Sequence, residues 1–156
     1  MLKNFALILI AVLIFSFGQV SANAQAIYDK DENTFVQEFN NVSKNLGFKI
    51  AELKQVDELN GGAVFSAKIE GLKGENDVFI TTNVKGGISS FLLIADNKES
   101  AEKFFKSSVA VLQINATYKE GLEEAAMKTA SNKDVKVSVN VGDGLKGKVY
   151  TVMFAK

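Results

Sequence analysis

Apolar positions along the chain fall into two rhythms, one helical and one alternating. Phe35, Phe39, Val42 and Leu46 repeat at i, i+4, i+7 and i+11. That is a single apolar stripe on a helix opening near Asp29 or Asp31, with Gly47 placed to end it. Phe48 to Val56 predicts a strand whose imperfect alternation implies a bulge or an edge position. After the turn Asp57-Glu58-Leu59-Asn60-Gly61-Gly62, Ala63, Phe65, Ala67 and Ile69 alternate with Val64, Ser66, Lys68 and Glu70, a half-buried strand. Residues 71–77 connect it to the stretch that organises the rest.

That stretch is a hairpin followed by a helix. Val78 to Val84 and Ile88 to Ile94 flank Lys85-Gly86-Gly87. A three-residue loop at 85–87 sets Val84 opposite Ile88, Ile80 opposite Leu92 and Val78 opposite Ile94, so one face becomes almost wholly apolar. A one-residue slip would turn every side chain over. Asp96 and Glu99 then stand as a capping box for a helix carrying Ala101, Phe104, Phe105, Ser108, Val111 and Leu112 on one side. Thr117 and Glu120 read as a second box. Tyr118, Leu122, Ala125, Ala126 and Thr129 follow as a second helical stripe, weakened by Gly121. Residues 97–131 thus read as two helices, or one kinked near 115. Val135, Val137, Val139 and Val141 alternate with polar residues, and residues 148–155 form the last strand. The order α-β-β-β-β-α-α-β-β, with short connections and no βαβ crossover, predicts an α+β fold. It is a two-layer, mainly antiparallel sheet of about six strands with helices packed on one face.

The N-terminus has a different logic. Lys3 precedes an apolar run from Phe5 to Phe17, followed by Ser21-Ala22-Asn23-Ala24. A basic start, an apolar run and an A-x-A site constitute a secretory signal peptide. As a helix the run is only about 20 Å long, against a hydrocarbon core of about 30 Å. Residues 1–24 are therefore expected to be a leader, and residues 25–156 a single domain exported to a periplasm or the medium. The membrane is touched only in transit. Cleavage after Ala26 is the alternative. Residues 25–31 are polar and expected to fray.

Composition narrows the chemistry. The chain has no His, Cys, Trp, Pro or Arg. Without His and Cys the usual zinc, copper, haem and iron–sulfur ligand sets cannot form, nor can Ser–His or Cys–His nucleophilic catalysis. Without Arg there is no bidentate fork for phosphate. Formal net charge is zero, so no basic surface calls for nucleic acid. No cofactor and no metal is expected.

The remaining motifs are weak. Gly142-Asp143-Gly144-Leu145-Lys146-Gly147 spells G-x-G-x-x-G after a strand, but the dinucleotide mechanism needs a helix next, and here a strand follows. It reads as a hairpin loop. Asp29, Asp31 and Asn33 match the opening of a calcium loop, but Thr34 stands where that loop needs Gly and Asn40 where it needs Glu. Glu123 and Glu124 are neighbours that would not face each other on a helix.

The candidate site is the second face of the hairpin. If Ile80 and Leu92 point to the helices, then Phe79, Thr81, Asn83, Ser89, Phe91 and Leu93 point away and form a candidate binding face, with Val64 beside them. The functional expectation is a small exported, non-catalytic binding or interaction module whose partner is an unknown protein. The alternative is a carrier of a small apolar ligand, held on that face or between sheet and helices. A hydrolase built on carboxylates alone ranks third, since it needs two acids whose pKa values are pushed apart.

Overall fold

The computed structural model describes residues 25–156. The expected leader, residues 1–24, lies outside the described residues. Helix α1 spans Glu32–Ser43, and its cap is Asp31, whose Oδ1 accepts the Thr34 amide at 2.7 Å. A short 3-10 turn over Lys44–Leu46 ends at Gly47, which takes a left-handed φ of +79°. Polar side chains of α1 then hold the chain that follows it. Asn40 donates to the Ile50 carbonyl at 2.9 Å and accepts its amide at 2.7 Å, and Ser43 donates to the Phe48 carbonyl at 2.8 Å.

The strands are β1 (Lys49–Ile50), β2 (Lys54–Leu59), β3 (Gly62–Glu70), β4 (Asn76–Thr82) and β5 (Ile88–Ala95). Helix α2 (Lys98–Leu112) comes next, then β6 (Leu122–Lys128), β7 (Asp134–Gly144) and β8 (Gly147–Ala155). The strands make one sheet in the order β1-β3-β4-β5-β8-β7-β6, with β2 also paired to β3. Every pairing is antiparallel. The α+β class and the antiparallel sheet agree with the sequence reading, although eight strands replace six. The single strand expected over 48–56 is two short ones, both on the same edge of β3, and β2 carries the bulge, between Gln55 and Asp57.

Both helices pack on one sheet face over a core rich in phenylalanine. Phe35, Phe39, Phe104 and Phe105 come from the helices; Phe91 and Phe154 come from β5 and β8. The rings touch in a continuous chain. Phe35 lies 4.7 Å from Phe91, Phe91 stacks on Phe154 at 5.0 Å, Phe39 lies 5.3 Å from Phe104, and Phe105 lies 5.6 Å from Phe154. These are ordinary separations for interacting rings, so phenylalanine fills the space between sheet and helices.

Four further expectations change. Residues 122–128 form β6 rather than a second helix, and pair with β7 from Leu122↔Val139 to Lys128↔Asp134. Gly121, at φ +75°, turns the chain into that strand. The cap of α2 is Asn97, which accepts the Ser100 amide, while Asp96 accepts the Glu75 amide across the neighbouring turn. Residues 26–28 do not fray. Ile27 is 2% exposed, and Tyr28 forms an antiparallel bridge with Ile88.

The fourth change is the register of the central hairpin. Its loop is Val84-Lys85-Gly86, one residue earlier than expected, closed by the Asn83 amide on the Gly87 carbonyl at 2.8 Å, with Gly86 at φ +82°. Thr82 pairs with Ile88 but Thr81 pairs with Ser90, so Ser89 is an extra residue, a bulge. Alternation read without a break from Ile88 puts Leu92 in the core. The bulge reverses it, so Ile88, Phe91 and Leu93 share the helix side with Val78 and Ile80.

Candidate functional site

Register fixes what lies on the sheet face away from the helices. Directly paired residues share a face, and three rows cross β3, β4, β5, β8 and β7. The central row is Ser66, Phe79, Leu92, Met153 and Ser138. One side row runs from Val64 through Thr81, Ser90 and Ala155 to Lys136, and the other from Lys68 through Asp77, Ile94 and Thr151 to Asn140. Phe79, Leu92 and Met153 form an apolar cluster of their own, separate from the main core, with Ile94 and Ala155 packed against it. The cluster is flanked by small hydroxyl residues, and charge appears at the rim, where Lys68 pairs with Asp77 at 2.8 Å. An apolar centre inside a polar rim is the usual anatomy of a contact surface.

The centre of this face is tightly packed. Phe79 is 9% exposed, Met153 6% and Leu92 4%. Ser138, at the end of the central row, is also buried, and its hydroxyl has no hydrogen-bond partner. A buried polar group left unpaired costs about 1–3 kcal/mol.

Of the six candidate residues, the structure keeps only Phe79 and Thr81 on this face. Asn83 and Ser89 shape the hairpin instead. The Asn83 Oδ1 accepts the amides of Lys85 and Gly87 at 3.0 and 3.1 Å, and the Ser89 hydroxyl donates to the Thr81 carbonyl across the bulge at 3.1 Å. Phe91 and Leu93 are core residues on the opposite face, at 1% and 0% exposure. Leu92 and Met153 take their place. The alternation in β8 carried the signal for Met153, because Val152 and Phe154 bracket it and face the helices.

No protein-family model, curated protein or solved structure matches the chain. The geometry is therefore the only guide to chemistry.

The carboxylates whose pKa moves all move down. Lys30 and Tyr28 hydrogen-bond Glu38, each at 2.5 Å, and hold its carboxyl below the usual range. The Glu75 amide does the same for Asp96, Lys103 for Glu99, Lys128 for Asp134 and the Thr34 amide for Asp31. A general acid at neutral pH needs the opposite shift. Burial pushes the Tyr118 hydroxyl up to about 12. Among the described residues, no group of three or more Asp or Glu is placed to hold a metal ion, and no helix is long and apolar enough to cross a membrane. An open depression of about 410 Å³ lies beside Asp134, Val135, Lys136 and Lys156. Its one carboxylate is already matched by Lys128 at 2.6 Å and Lys156 at 3.6 Å.

Proposed function

We propose that the chain is exported and acts as a non-catalytic binding module, presenting the sheet face around Phe79, Leu92 and Met153 to a partner protein. The observation that carries this reading is the second apolar cluster, built in register across three strands on the face opposite the helices. A sheet that only needed a core would place its apolar residues on the helix side. The hydroxyl shoulder adds polar groups that a partner can meet. The downward carboxylate shifts favour binding over acid–base chemistry. Rings in contact from α1 through to β8 favour a surface contact over a ligand enclosed between the layers.

The test is site-specific photo-crosslinking in the source organism. The crosslinker replaces Ser90 or Ile94 on the proposed face, and Lys106 on the exposed side of α2 as control. A discrete protein adduct of one mass from both face positions and none from Lys106 supports the reading. Equal adducts from all three positions, no adduct, or adducts of only a few hundred daltons overturn it, the last in favour of a small-molecule carrier.

A further inference from the structure

On the binding-face reading above, we infer that the partner is a second copy of this chain. The two copies stack face to face about a two-fold axis that runs parallel to the strands, between β4 and β5. The centre of the face is close-packed, with Phe79 at 9%, Met153 at 6% and Leu92 at 4% exposure. A level surface of this kind meets another level surface, and sheets stack about 10 Å apart with their strands nearly aligned. The register identifies the second sheet.

Such an axis reverses the order of the strands. It lays β2 of one copy over β7 of the other, β3 over β8 and β4 over β5. A row fits its own reversal only if its two halves complement each other. Through its pairing with β3, strand β2 extends two of the rows described above. One row then runs Asp57, Val64, Thr81, Ser90, Ala155, Lys136. In chemical terms it is acid, aliphatic, hydroxyl, hydroxyl, aliphatic, base. Stacked on its reversal, Asp57 meets Lys136 of the second copy at both ends, Val64 meets Ala155 and Thr81 meets Ser90. The central row runs Lys54, Ser66, Phe79, Leu92, Met153, Ser138. Its reversal puts Phe79 on Leu92 and Ser66 on Met153, and Lys54 faces no charge. In the third row Lys68 meets Thr151 and Asp77 meets Ile94, with Asp77 already matched by Lys68 at 2.8 Å in its own chain.

Asp57 and Lys136 are both exposed. Among the described residues neither has a salt-bridge partner within the chain. The flexible lysine stem spans the offset that sheet twist adds at the corners. Because the centre is nearly buried before contact, the exposed corner pairs set the register, and the dimer depends on concentration. Symmetry makes every charge change act twice.

The experiment is sedimentation equilibrium, over a range of concentrations, on the protein as its source organism exports it. Two variants, Asp57→Lys and Lys136→Glu, are run beside it, each checked for its thermal midpoint. The wild type rises from the mass of one chain towards that of two. Each variant places two like-charge pairs at the corners and weakens dimerisation by about tenfold or more. Mixed in equal amounts, the two variants form a heterodimer in which both opposite-charge pairs return, so the mass recovers. A merely structural effect of either substitution does not recover on mixing. A single-chain mass at every concentration, or a mixture no heavier than its components, overturns the second copy as occupant. The face itself is judged separately by the crosslinkers at Ser90 and Ile94. An adduct with a different protein keeps that reading, and no adduct overturns it as well.

Discussion

Replacing Phe91 by alanine tests the central hairpin most sharply. A flat reading of the sequence puts Phe91 on a binding face; the bulge at Ser89 puts it in the core, 1% exposed and in ring contact with Phe35, Phe104 and Phe154. Losing a fully buried ring forfeits about 2–3 kcal/mol of transfer free energy. Each ring pair adds roughly 0.5–1.5 kcal/mol beyond burial, so the total falls near the top of the usual range of about 3–5 kcal/mol for Phe-to-Ala core changes. Phe79→Ala is the matched control, deleting the same atoms on the other face. Phe79 packs on Leu92 and Met153 in a three-residue cluster, so its loss should stay at or below about 3 kcal/mol. For a domain of this size 1 kcal/mol moves the midpoint by on the order of 3–5 °C. Thermal melts followed by circular dichroism should therefore place Phe91→Ala roughly 5–10 °C below Phe79→Ala. If Phe79→Ala is the less stable of the two, the bulge and the face assignment drawn from it are wrong.

Asn83→Ala strips the acceptor from the Lys85 and Gly87 amides and should cost about 1–3 kcal/mol in urea unfolding; a cost below 0.5 kcal/mol would mean that the loop holds itself. Tyr118→Phe should be neutral or stabilising at pH 7 by about 1 kcal/mol, because its buried hydroxyl has no partner. The same change should soften the alkaline limb. Tyr118 ionises near 10 when unfolded but only at about 12 when folded, so its contribution is present below pH 10 and lost as the pH rises towards 12. A variant with an unchanged alkaline limb would refute that. At the acid end Asp31, Glu38, Asp96, Glu99 and Asp134 all titrate lower in the fold than in the unfolded chain. Their stabilisation is complete above about pH 5 and disappears as the pH falls through the depressed values. Melting temperature measured from pH 7 to pH 2 should show this fall, and Asp96→Asn should make it shallower.

What the sequence revealed depended on whether local chemistry and tertiary pairing pointed the same way. At α1 they agree. The stripe Phe35, Phe39 faces the core, Asp31 caps and Gly47 terminates, as read. The Val-rich β7 and the glycine loop before β8 were equally plain, and G-x-G-x-x-G is a hairpin turn with Gly144 paired to Gly147. At β6 they conflict. Leu, Glu, Ala, Met and Lys favour helix locally, but without β6 the free edge of β7 would stand unpaired, and pairing overrides a preference of a few tenths of a kcal/mol per residue. At the hairpin the error came from a single extra residue. A bulge leaves no clear mark on an apolar run in which both faces carry Phe, Leu and Ile, so Phe91 and Leu93 changed places with Leu92. The N-terminal anchor was missed because Ala26, Ile27 and Tyr28 are too few to show a period.

The composition that hid β6 has another consequence. An open sheet offers unpaired amides and carbonyls along its outermost strands, a template on which further copies can stack into fibrils. Here both borders resist such growth. Lys54, Asp57 and Glu58 stand exposed on β2, which is also broken by its bulge. Glu123 and Lys128 stand exposed on β6, with Lys128 tied back to Asp134. A Val-rich outer strand would have been easier to recognise and far more adhesive. Exchanging Glu123 and Lys128 for valine would make this border a seeding surface while leaving every core contact in place.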